Sequence, residues 1–469
     1  MTSPVSRPDP EGTGYVLVRA LSRFLLRLFY RRIEVVGAQN IPATGPLILA
    51  ANHHNSLVDA MLLLAVIPRR LRILAKASLF RHPLIGPFLR VIGGLPVHRR
   101  QEPGHDAASS AALFEATTRA LDTGGAILIF PEGRTQPEPA LQELRTGTAR
   151  MLLAAASSGA RAVALIPVGL VFDQPGTFRN GRALVWIGPP VATEDCLDGV
   201  AATSGAAARV LTDRLAAALR AQIVEADDRR TLRLLKLAEE LWREGGGART
   251  PEADAESGEA ARAAWLQRAM HTYRSLQERA PDRVAAFRQE LEAFDAESEK
   301  VGLAAERLSR TYSFGSVARF SFSEGSSLLL AAPLALCGIL LHGLPYSLTV
   351  LAVLLIPHTE EEDATDKIAA GLLFYPLAWL AEAYAVFRFG GGLALAVFLA
   401  ALLPTGFFAL AWHERLEHVR KEARAFVRFL TDRDALRRLR GRRRELVAEL
   451  DSLVRIAPEA WPSVAERIE

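Results

Sequence analysis

The sequence contains little cysteine. Among its 469 residues, Cys196 and Cys337 stand far apart, without a Cys-x-x-Cys or Cys/His spacing. A disulfide scaffold and a structural zinc site are therefore not expected. An apolar run is also missing from residues 1–14, which are polar and rich in proline, so no secretory signal is predicted. We accordingly expect the N-terminal part of the chain to stay in the cytoplasm.

An excess of charge of either sign is missing as well. Charged residues make up 23% of the chain, the net charge is +4, and half of the residues are hydrophobic. The mean hydropathy is nevertheless positive, +0.13, so apolar residues must be concentrated in part of the chain. This composition excludes disordered, collagen-like and purely soluble helical-array proteins. At about 150 residues per domain, the length predicts about three units.

Short apolar runs alternate with helical patterns between residues 33 and 195. Such alternation is typical of an α/β domain with a sheet covered on both faces. We therefore predict that residues 33–200 form an α/β domain with a mixed sheet covered by helices. The predicted strands are 33–36, 46–51, 71–75, 126–130, 162–171 and 183–187, and the predicted helices are 57–66, 80–92, 107–121 and 141–156.

The excess of apolar residues lies in the C-terminal half. Residues 201–320 are predicted to be charged helices, broken at 244–251 by a glycine-rich stretch. Residues 325–359 then contain no Asp, Glu, Lys or Arg, and 368–413 contain two charged residues. Since a hydrocarbon core about 30 Å thick takes roughly 20 helical residues, these runs predict membrane helices. A buried hairpin in a soluble core is the alternative.

The charges flanking these runs predict their topology. A basic tail, 414–469, follows them. If the α/β domain and this tail are both cytoplasmic, the positive-inside rule requires an even number of crossings. We therefore expect two hairpins, 326–357 and 368–412, within a membrane region at 321–413. Each half of the first hairpin would be ~15 residues, or about 22 Å of helix, which also fits a re-entrant loop.

Residues 1–32 contain a third membrane signal. Arginines recur there every fourth residue, from Arg19 to Arg31, on an otherwise very apolar helix. Such a helix can lie in the membrane interface with its arginines at anionic headgroups. The alternative is an amphipathic helix packed on its own domain.

The stretch 52–59 opens the predicted helix after the second strand and contains His54 and Asp59. Asp59 could accept one ring N–H of His54 and leave the other ring nitrogen to take a proton from a hydroxyl. Residues 56–59 also form a capping box, in which Asp59 would only cap its helix. Both interpretations remain open from these residues alone.

Three further stretches lie at predicted strand ends. Residues 93–100 include Arg99, and residues 130–135 read Phe-Pro-Glu-Gly-Arg-Thr. Arginines on short loops suit phosphate recognition, although ordinary surface charge and a glycine helix stop explain each stretch by itself. The apolar stretch 166–170 is more typical of a core or edge strand.

These four stretches, in this order, resemble the glycerolipid acyltransferase superfamily. The His-x4-Asp motif falls on His54 and Asp59, and the Gly-x-x-Phe-Ile-x-Arg motif ends on Arg99. The Phe-Pro-Glu-Gly-Thr-Arg block falls on 130–135, with the order of Arg134 and Thr135 inverted. The short proline motif falls on 166–168. The resemblance covers roughly residues 33–195.

The resemblance implies a mechanism and a set of site residues. His54 would act as general base on an acceptor hydroxyl, with Asp59 orienting its ring, and the oxygen would attack the thioester of acyl-CoA or acyl carrier protein. No cofactor or metal is implied, and no Gly-x-Ser-x-Gly hydrolase motif occurs. The substrate-binding residues implied are Lys76, Arg99, Glu132, Gly133, Arg134, Arg145 and Pro167.

The expected partners are membrane lipids, the acyl donor and a glycerol phosphate acceptor, with no nucleic acid. Because the membrane segments follow the α/β domain, the arrangement is similar to enzymes that acylate glycerol-3-phosphate or dihydroxyacetone phosphate, towards phosphatidic acid and phospholipid synthesis. Acylation of lysophosphatidate, remodelling of other lysophospholipids and a non-catalytic lipid-binding scaffold are the alternatives. The expected location is a bacterial-type inner membrane or its equivalent, with the α/β domain facing the cytoplasm.

Overall fold

The computed structural model describes residues 12–83, 85–98, 107–136, 138–158, 163–197, 205–244, 258–301, 314–356, 359 and 362–456. Two compact units divide the chain. The first comprises Met1–Arg229, Ser257–Gln267 and His358–Asp366, and the second comprises Arg230–Glu256, Arg268–Pro357 and Lys367–Glu469.

A seven-stranded mixed sheet forms the centre of the first unit. Its order is β1-β7-β6-β2-β5-β3-β4, and the β6–β7 pair is antiparallel whereas the other pairs are parallel. Strands β2 and β5 are apolar throughout and completely buried, as strands covered on both faces must be. The strands are β1 (Arg32–Val36), β2 (Leu47–Ala51), β3 (Leu71–Lys76), β4 (Leu95–Val97), β5 (Ala126–Ile129), β6 (Ala164–Asp173) and β7 (Arg182–Ile187).

Helices cover this sheet, which confirms the predicted fold class. Six of the predicted strands are present, and the short β4, with Pro96 at its centre, was missed. The apolar sides of α4, α5 and α7 share one core with β2, β5 and β6. The helices of this unit are α1 (Thr13–Phe29), α2 (Ser56–Val66), α3 (Ile85–Val91), α4 (Ala107–Asp122), α5 (Gly147–Ser158), α6 (Glu194–Leu197) and α7 (Gly205–Arg220).

Helix α1 packs on its own domain. Tyr15, Leu26 and Phe29 are buried, and two arginines of the predicted basic stripe bond to α2. Arg19 Nη2 donates to the Ile67 carbonyl at 2.6 Å and Arg23 Nε donates to the Ala65 carbonyl at 2.7 Å. These carbonyls end α2, where a cation is electrostatically favourable. The interfacial position of the helix stays a prediction, and these contacts show that it also packs on its own domain.

Four charged helices belong wholly or in part to the second unit: α8 (Arg229–Glu244), α9 (Glu259–Arg279), α10 (Pro281–Val301) and α13 (Arg433–Ile456). Residues 433–456 of the predicted basic tail form α13, which packs against α9 and α10 through Leu276, Val284 and Leu453. Arg442 pairs with Glu290 at 3.0 Å and Glu297 at 2.7 Å. Part of the tail's positive charge is thus neutralised within the unit.

Two helices, α11 (Phe314–Leu355) and α12 (Asp363–Thr431), are long and apolar enough to cross a membrane. Several of their large apolar side chains are exposed, as lipid-facing residues are. The predicted hairpin at 326–357 is wrong, because α11 runs unbroken through Pro333 and Pro345. Each proline removes one main-chain N–H donor, and the remaining hydrogen bonds keep the helix continuous.

Helix α12 does bend, at Gly391 within the predicted second hairpin. Gly391 has φ 74°, in the left-handed region that glycine tolerates, and it separates two helical halves. The second half lies antiparallel to α11, since Trp412 Nε1 donates to the Leu328 carbonyl at 3.0 Å and His342 Nε2 lies 2.9 Å from the Leu402 carbonyl.

Candidate active site

Four neighbouring parallel strands, β2, β3, β4 and β5, end beside three of the predicted site stretches and Lys76. Residues 52–55 follow β2, 130–136 follow β5, Lys76 ends β3 and His98 follows β4. Because these strands are parallel neighbours, their ends meet at one edge of the sheet. Three of the four predicted stretches therefore converge as expected. Arg99 lies outside the described residues.

Asp59 is the centre of the hydrogen-bonding network. It lies in the first turn of α2, its side chain is fully buried, and its Oδ2 accepts three hydrogen bonds of 2.8 Å. The donors are the ring Nδ1 of His53 and the main-chain N–H groups of His54 and Asn55. One oxygen thus contacts the ring of His53 and also accepts the N–H of Asn55, the residue before α2. The predicted capping box at 56–59 is not formed as such, because Ser56 is already the first residue of the helix.

The orientation of His53 suits a general base. Since Asp59 accepts a hydrogen bond from Nδ1, the Nε2 atom is left as the proton acceptor. The ring stacks on Phe130, with centroids 4.1 Å apart and planes inclined by 16°, and 17% of the side chain remains exposed. A carboxylate behind the ring stabilises the imidazolium that forms when Nε2 takes a proton.

His54 has a different environment from the predicted one. Its Nδ1 lies 3.0 Å from the Gln136 carbonyl, which can only accept, so Nδ1 carries the proton. The predicted contact between Asp59 and the His54 ring is therefore wrong, because only the main-chain N–H of His54 reaches the carboxylate. A neutral carbonyl stabilises an imidazolium less than a carboxylate does.

The local backbone explains why the ring of His53, and not that of His54, contacts Asp59. Asn55 has φ −132° and ψ 42°, and Ser56, the first residue of α2, has φ 45°. A positive φ is uncommon outside glycine and marks a tight turn. This turn brings residues 53–55 to Asp59, so the histidine ring that contacts the carboxylate is that of His53, with five residues between the two.

Asn52, which the sequence analysis did not select, fixes the start of the same loop. It is fully buried, its Nδ2 donates to the Leu170 carbonyl at 2.9 Å, and its Oδ1 accepts from the Leu170 N–H at 2.6 Å. This pair of bonds continues the β2–β6 ladder beyond Ala51. The loop that carries His53 therefore leaves the sheet in a defined direction.

Glu132 lies beneath the site, 2% exposed. Its Oε1 accepts the His53 N–H at 2.8 Å, and its Oε2 accepts the Gln142 N–H at 3.1 Å. Burial raises the pKa of Glu132, opposed by the nearby His54 and by these N–H groups. Glu132 is therefore placed to position the backbone of His53, and the predicted contact of Glu132 with substrate stays a prediction.

Basic groups lie beside the third stretch. Arg134 is exposed and donates to Gln142 Oε1, and Arg145 is exposed with its side chain over Gly133. A Cβ atom on Gly133, which has φ 71°, would lie 2.8 Å from Arg145 Nε. Gly133 therefore allows the Arg145 side chain to approach the backbone at the edge of the site, where it could bind an anion.

Pro167 is placed differently from its predicted role. It is buried inside β6, paired with Ala50, and its carbonyl accepts the Gly188 N–H at 2.9 Å. It belongs to the sheet core and not to a substrate surface. Within the described ranges, no group of three or more His, Cys, Asp or Glu side chains could hold a metal ion.

Comparisons with known proteins match the same region. A sequence profile of the family described as Acyltransferase matches residues 32–171. An uncharacterised acyltransferase of Schizosaccharomyces pombe is 24% identical over 306 residues, covering 47% of this chain and 45% of that protein. A 1-acyl-sn-glycerol-3-phosphate acyltransferase of Borreliella burgdorferi is 29% identical over 145 residues, covering 31% of this chain and 56% of that protein.

The crystal structure of the 1-acyl-sn-glycerophosphate (LPA) acyltransferase PlsC of Thermotoga maritima superposes with a TM-score of 0.33 and 19% identity, covering 43% of this chain and 77% of that chain. The chain spans about half the length of the two curated relatives named above. Residues 32–171 thus match an acyltransferase family model, and this stretch is similar to members of the glycerolipid acyltransferase superfamily.

Proposed function

We propose that the protein transfers a fatty acyl group from a thioester donor to the hydroxyl of a glycerol phosphate acceptor, with His53 as general base. The observation that carries the proposal is the 2.8 Å contact between His53 Nδ1 and a fully buried Asp59 carboxylate, at the strand edge of an acyltransferase domain. This arrangement leaves Nε2 able to accept a proton at the partly exposed face of the ring.

The chemistry follows from that geometry. Nε2 of His53 takes the proton of the acceptor hydroxyl as its oxygen attacks the thioester carbonyl carbon. The tetrahedral intermediate collapses, the carbon–sulfur bond breaks, and the imidazolium returns the proton to the departing thiolate. Asp59 stays ionised and holds the ring in place throughout. Acyl-CoA and acyl carrier protein are the donors proposed, and no metal enters these steps.

The acceptor phosphate is proposed to bind the cations at the same edge of the sheet as the base, of which Arg134 and Arg145 are exposed. Arg145 and Arg134 lie at the loop after β5, and Lys76 ends β3 at the same edge. Guanidinium groups suit phosphate because they donate paired hydrogen bonds. The name of the Borreliella burgdorferi relative favours 1-acylglycerol-3-phosphate as the acceptor, while the position of the apolar helices after the domain favours glycerol-3-phosphate.

We also propose that the protein works at a membrane surface, with the first unit on the cytoplasmic side. Helices α11 and α12 have the length and composition to cross a bilayer. Five exposed apolar side chains on α1 and α3, which we call the α1–α3 patch, lie on the first unit and would contact the interface. The patch consists of Val16, Leu17, Phe24, Phe88 and Val91.

The test is an acyl-transfer assay with full-length protein in lipid vesicles. Labelled acyl-CoA or acyl carrier protein is offered with glycerol-3-phosphate, dihydroxyacetone phosphate or lysophosphatidate in parallel, and the product identifies the acceptor. His53→Ala should lower kcat by about 10²- to 10⁴-fold, the usual contribution of a general base, while His54→Ala keeps most of the activity.

Two outcomes would contradict the proposal. Loss of activity in His54→Ala with retention in His53→Ala would return the base to the position that the sequence suggested. Binding of lysophosphatidate without turnover by the wild-type protein, under every donor and acceptor combination, would favour the lipid-binding scaffold.

A further inference from the structure

Tyr30 is a buried tyrosine beside the proposed site that the mechanism does not use. It is the first residue after α1 and is 2% exposed. Its hydroxyl donates to the Pro175 carbonyl at 3.0 Å and accepts from Asn55 Nδ2 at 2.7 Å. Burial raises the pKa of Tyr30 well above its ordinary value, with the Asp59 charge adding to the effect. The hydroxyl therefore stays neutral and can fill both roles.

Asn55 connects this hydroxyl to the catalytic carboxylate. It is 1% exposed, and its main-chain N–H donates to Asp59 Oδ2 at 2.8 Å while its side chain contacts Tyr30. The residue after it, Ser56, has a positive φ. Backbone in this region persists only where surrounding contacts hold it. The Tyr30–Asn55 bond is such a contact, supplied from outside the loop.

We propose that Tyr30 is a positioning residue for the acyl transfer. Through Asn55 it holds the turn in which the His53 ring and two N–H groups converge on Asp59 Oδ2. Tyr30 touches neither a reacting atom nor a substrate group, and it precedes the matched stretch 32–171. The inference rests on the proposed function, because it assigns Tyr30 to the geometry of that base.

Two aromatic rings pack against Tyr30 and hold its side chain in place. The Tyr30 ring packs edge-on against Phe29 with centroids 5.1 Å apart, and lies 5.9 Å from Phe172 of β6. A phenylalanine at position 30 would keep this packing and remove the hydroxyl alone. Asn55 Nδ2 would then lose its acceptor and the Pro175 carbonyl its donor.

Helix α1 offers a matched control. Tyr15 is 1% exposed. Its hydroxyl accepts a hydrogen bond from the Leu71 N–H at 2.9 Å and donates one to the Arg69 carbonyl at 3.3 Å. Tyr15→Phe and Tyr30→Phe thus each remove one buried hydroxyl with one bond given and one accepted. They differ in that the Tyr30 hydroxyl bonds to Asn55, the residue whose main-chain N–H donates to Asp59.

The experiment compares both variants with the wild-type protein, full-length in vesicles, for melting temperature, kcat, acceptor KM and the pH profile of kcat. Tyr30→Phe should lower kcat by about 10- to 100-fold with KM little changed, since misplacing a catalytic group by about 1 Å costs roughly 10²-fold. The pH profile of kcat should also differ from that of the wild type, because a displaced Asn55 changes the contacts that Asp59 Oδ2 makes with the His53 ring and the N–H groups. Tyr15→Phe should match the wild type in both respects.

A second variant removes the other partner of the Tyr30–Asn55 hydrogen bond. Asn55→Ala should lower kcat at least as much as Tyr30→Phe, and combining the two should cost little more than Asn55→Ala alone. Wild-type kcat and pH profile in Tyr30→Phe, equal losses in Tyr15→Phe, or independent losses in the double variant would each overturn the inference.

The assay separates this inference from the proposed function. If the wild type transfers no acyl group, or His53→Ala is as active as wild type, the proposed function fails. If His53→Ala is inactive while Tyr30→Phe is normal, the role of Tyr30 alone is wrong.

Discussion

The main-chain N–H of His53 donates to Glu132 Oε1 at 2.8 Å, which joins two loops 79 residues apart in sequence. The other carboxylate oxygen accepts the Gln142 N–H within the loop after β5, and the His53 bond fixes that loop to the loop after β2. A buried carboxylate with its oxygens engaged in this way stabilises the backbone that carries the proposed base.

Removing this carboxylate should reduce the rate more than substrate affinity. We expect Glu132→Ala to lower kcat about 10- to 100-fold with a small change in acceptor KM, because the His53 backbone loses its partner. Glu143→Ala, at an exposed position in the same loop, is the control and should match wild type. A rise in KM at constant kcat would identify Glu132 as a substrate contact after all.

Glu132 should also make stability depend on pH. Burial raises its pKa, so the folded protein holds the proton more tightly than the unfolded chain. Its contribution is then complete below the unfolded pKa, about 4.5, and is lost as pH rises through the folded pKa. Each unit by which the folded pKa of Glu132 exceeds the unfolded one corresponds to about 1.4 kcal/mol in the free energy of unfolding.

The measurement is the melting temperature of wild type and Glu132→Gln in detergent, from pH 4 to pH 7. The difference, wild type minus variant, should be largest at the acid end and decrease towards neutrality. A difference that grows with pH would contradict the sign of the shift.

Arg145 should act on the acceptor phosphate. We expect Arg145→Gln to raise acceptor KM about tenfold, equivalent to about 1.4 kcal/mol, because one charge-assisted hydrogen bond is lost. The effect should be smaller with an acceptor that lacks phosphate. Arg150→Gln, at an exposed position in the next helix, α5, is the control. Equal effects of both variants would indicate a general field of positive charge and not a phosphate contact.

The sequence predicted the sheet because its strands are short apolar runs between turn signals, as in β2 and β5. It missed β4, where three residues with a central proline give no alternating pattern. The choice between His53 and His54 depends on the positive φ of Ser56, which no spacing rule encodes. The contacts that bury Glu132 were not predicted, because they involve residues 79 and ten positions away.

The apolar helices were predicted in place but not in form. The first predicted hairpin required a turn within 326–357, whereas α11 continues through Pro333 and Pro345. The break that does occur lies at Gly391, in a run of three glycines where a left-handed residue costs little. Composition therefore located the apolar helices, and single-residue backbone preferences decided where they bend.

The α1–α3 patch should lie in the bilayer interface. Leu17 is 65% exposed on a helix whose Arg19 and Arg23 bond to the carbonyls at the end of α2, so exposed apolar side chains are available there to contact lipid. An environment-sensitive fluorophore is attached at Leu17→Cys in a Cys337→Ser background. Its emission should shift to the blue when the full-length protein moves from detergent-free buffer to vesicles. Cys196 is buried and should stay unlabelled.

Val210→Cys provides the matched control, because Val210 is also an exposed apolar residue, 42% exposed, on α7 of the same unit. Its label should keep the emission of an aqueous site in vesicles, and aqueous quenchers should reach it while the label at position 17 is protected. Lipid-borne quenchers should show the opposite order. Equal emission and equal quenching at both positions would mean that α1 serves only to brace α2, and the interface would then have to be sought elsewhere on the first unit.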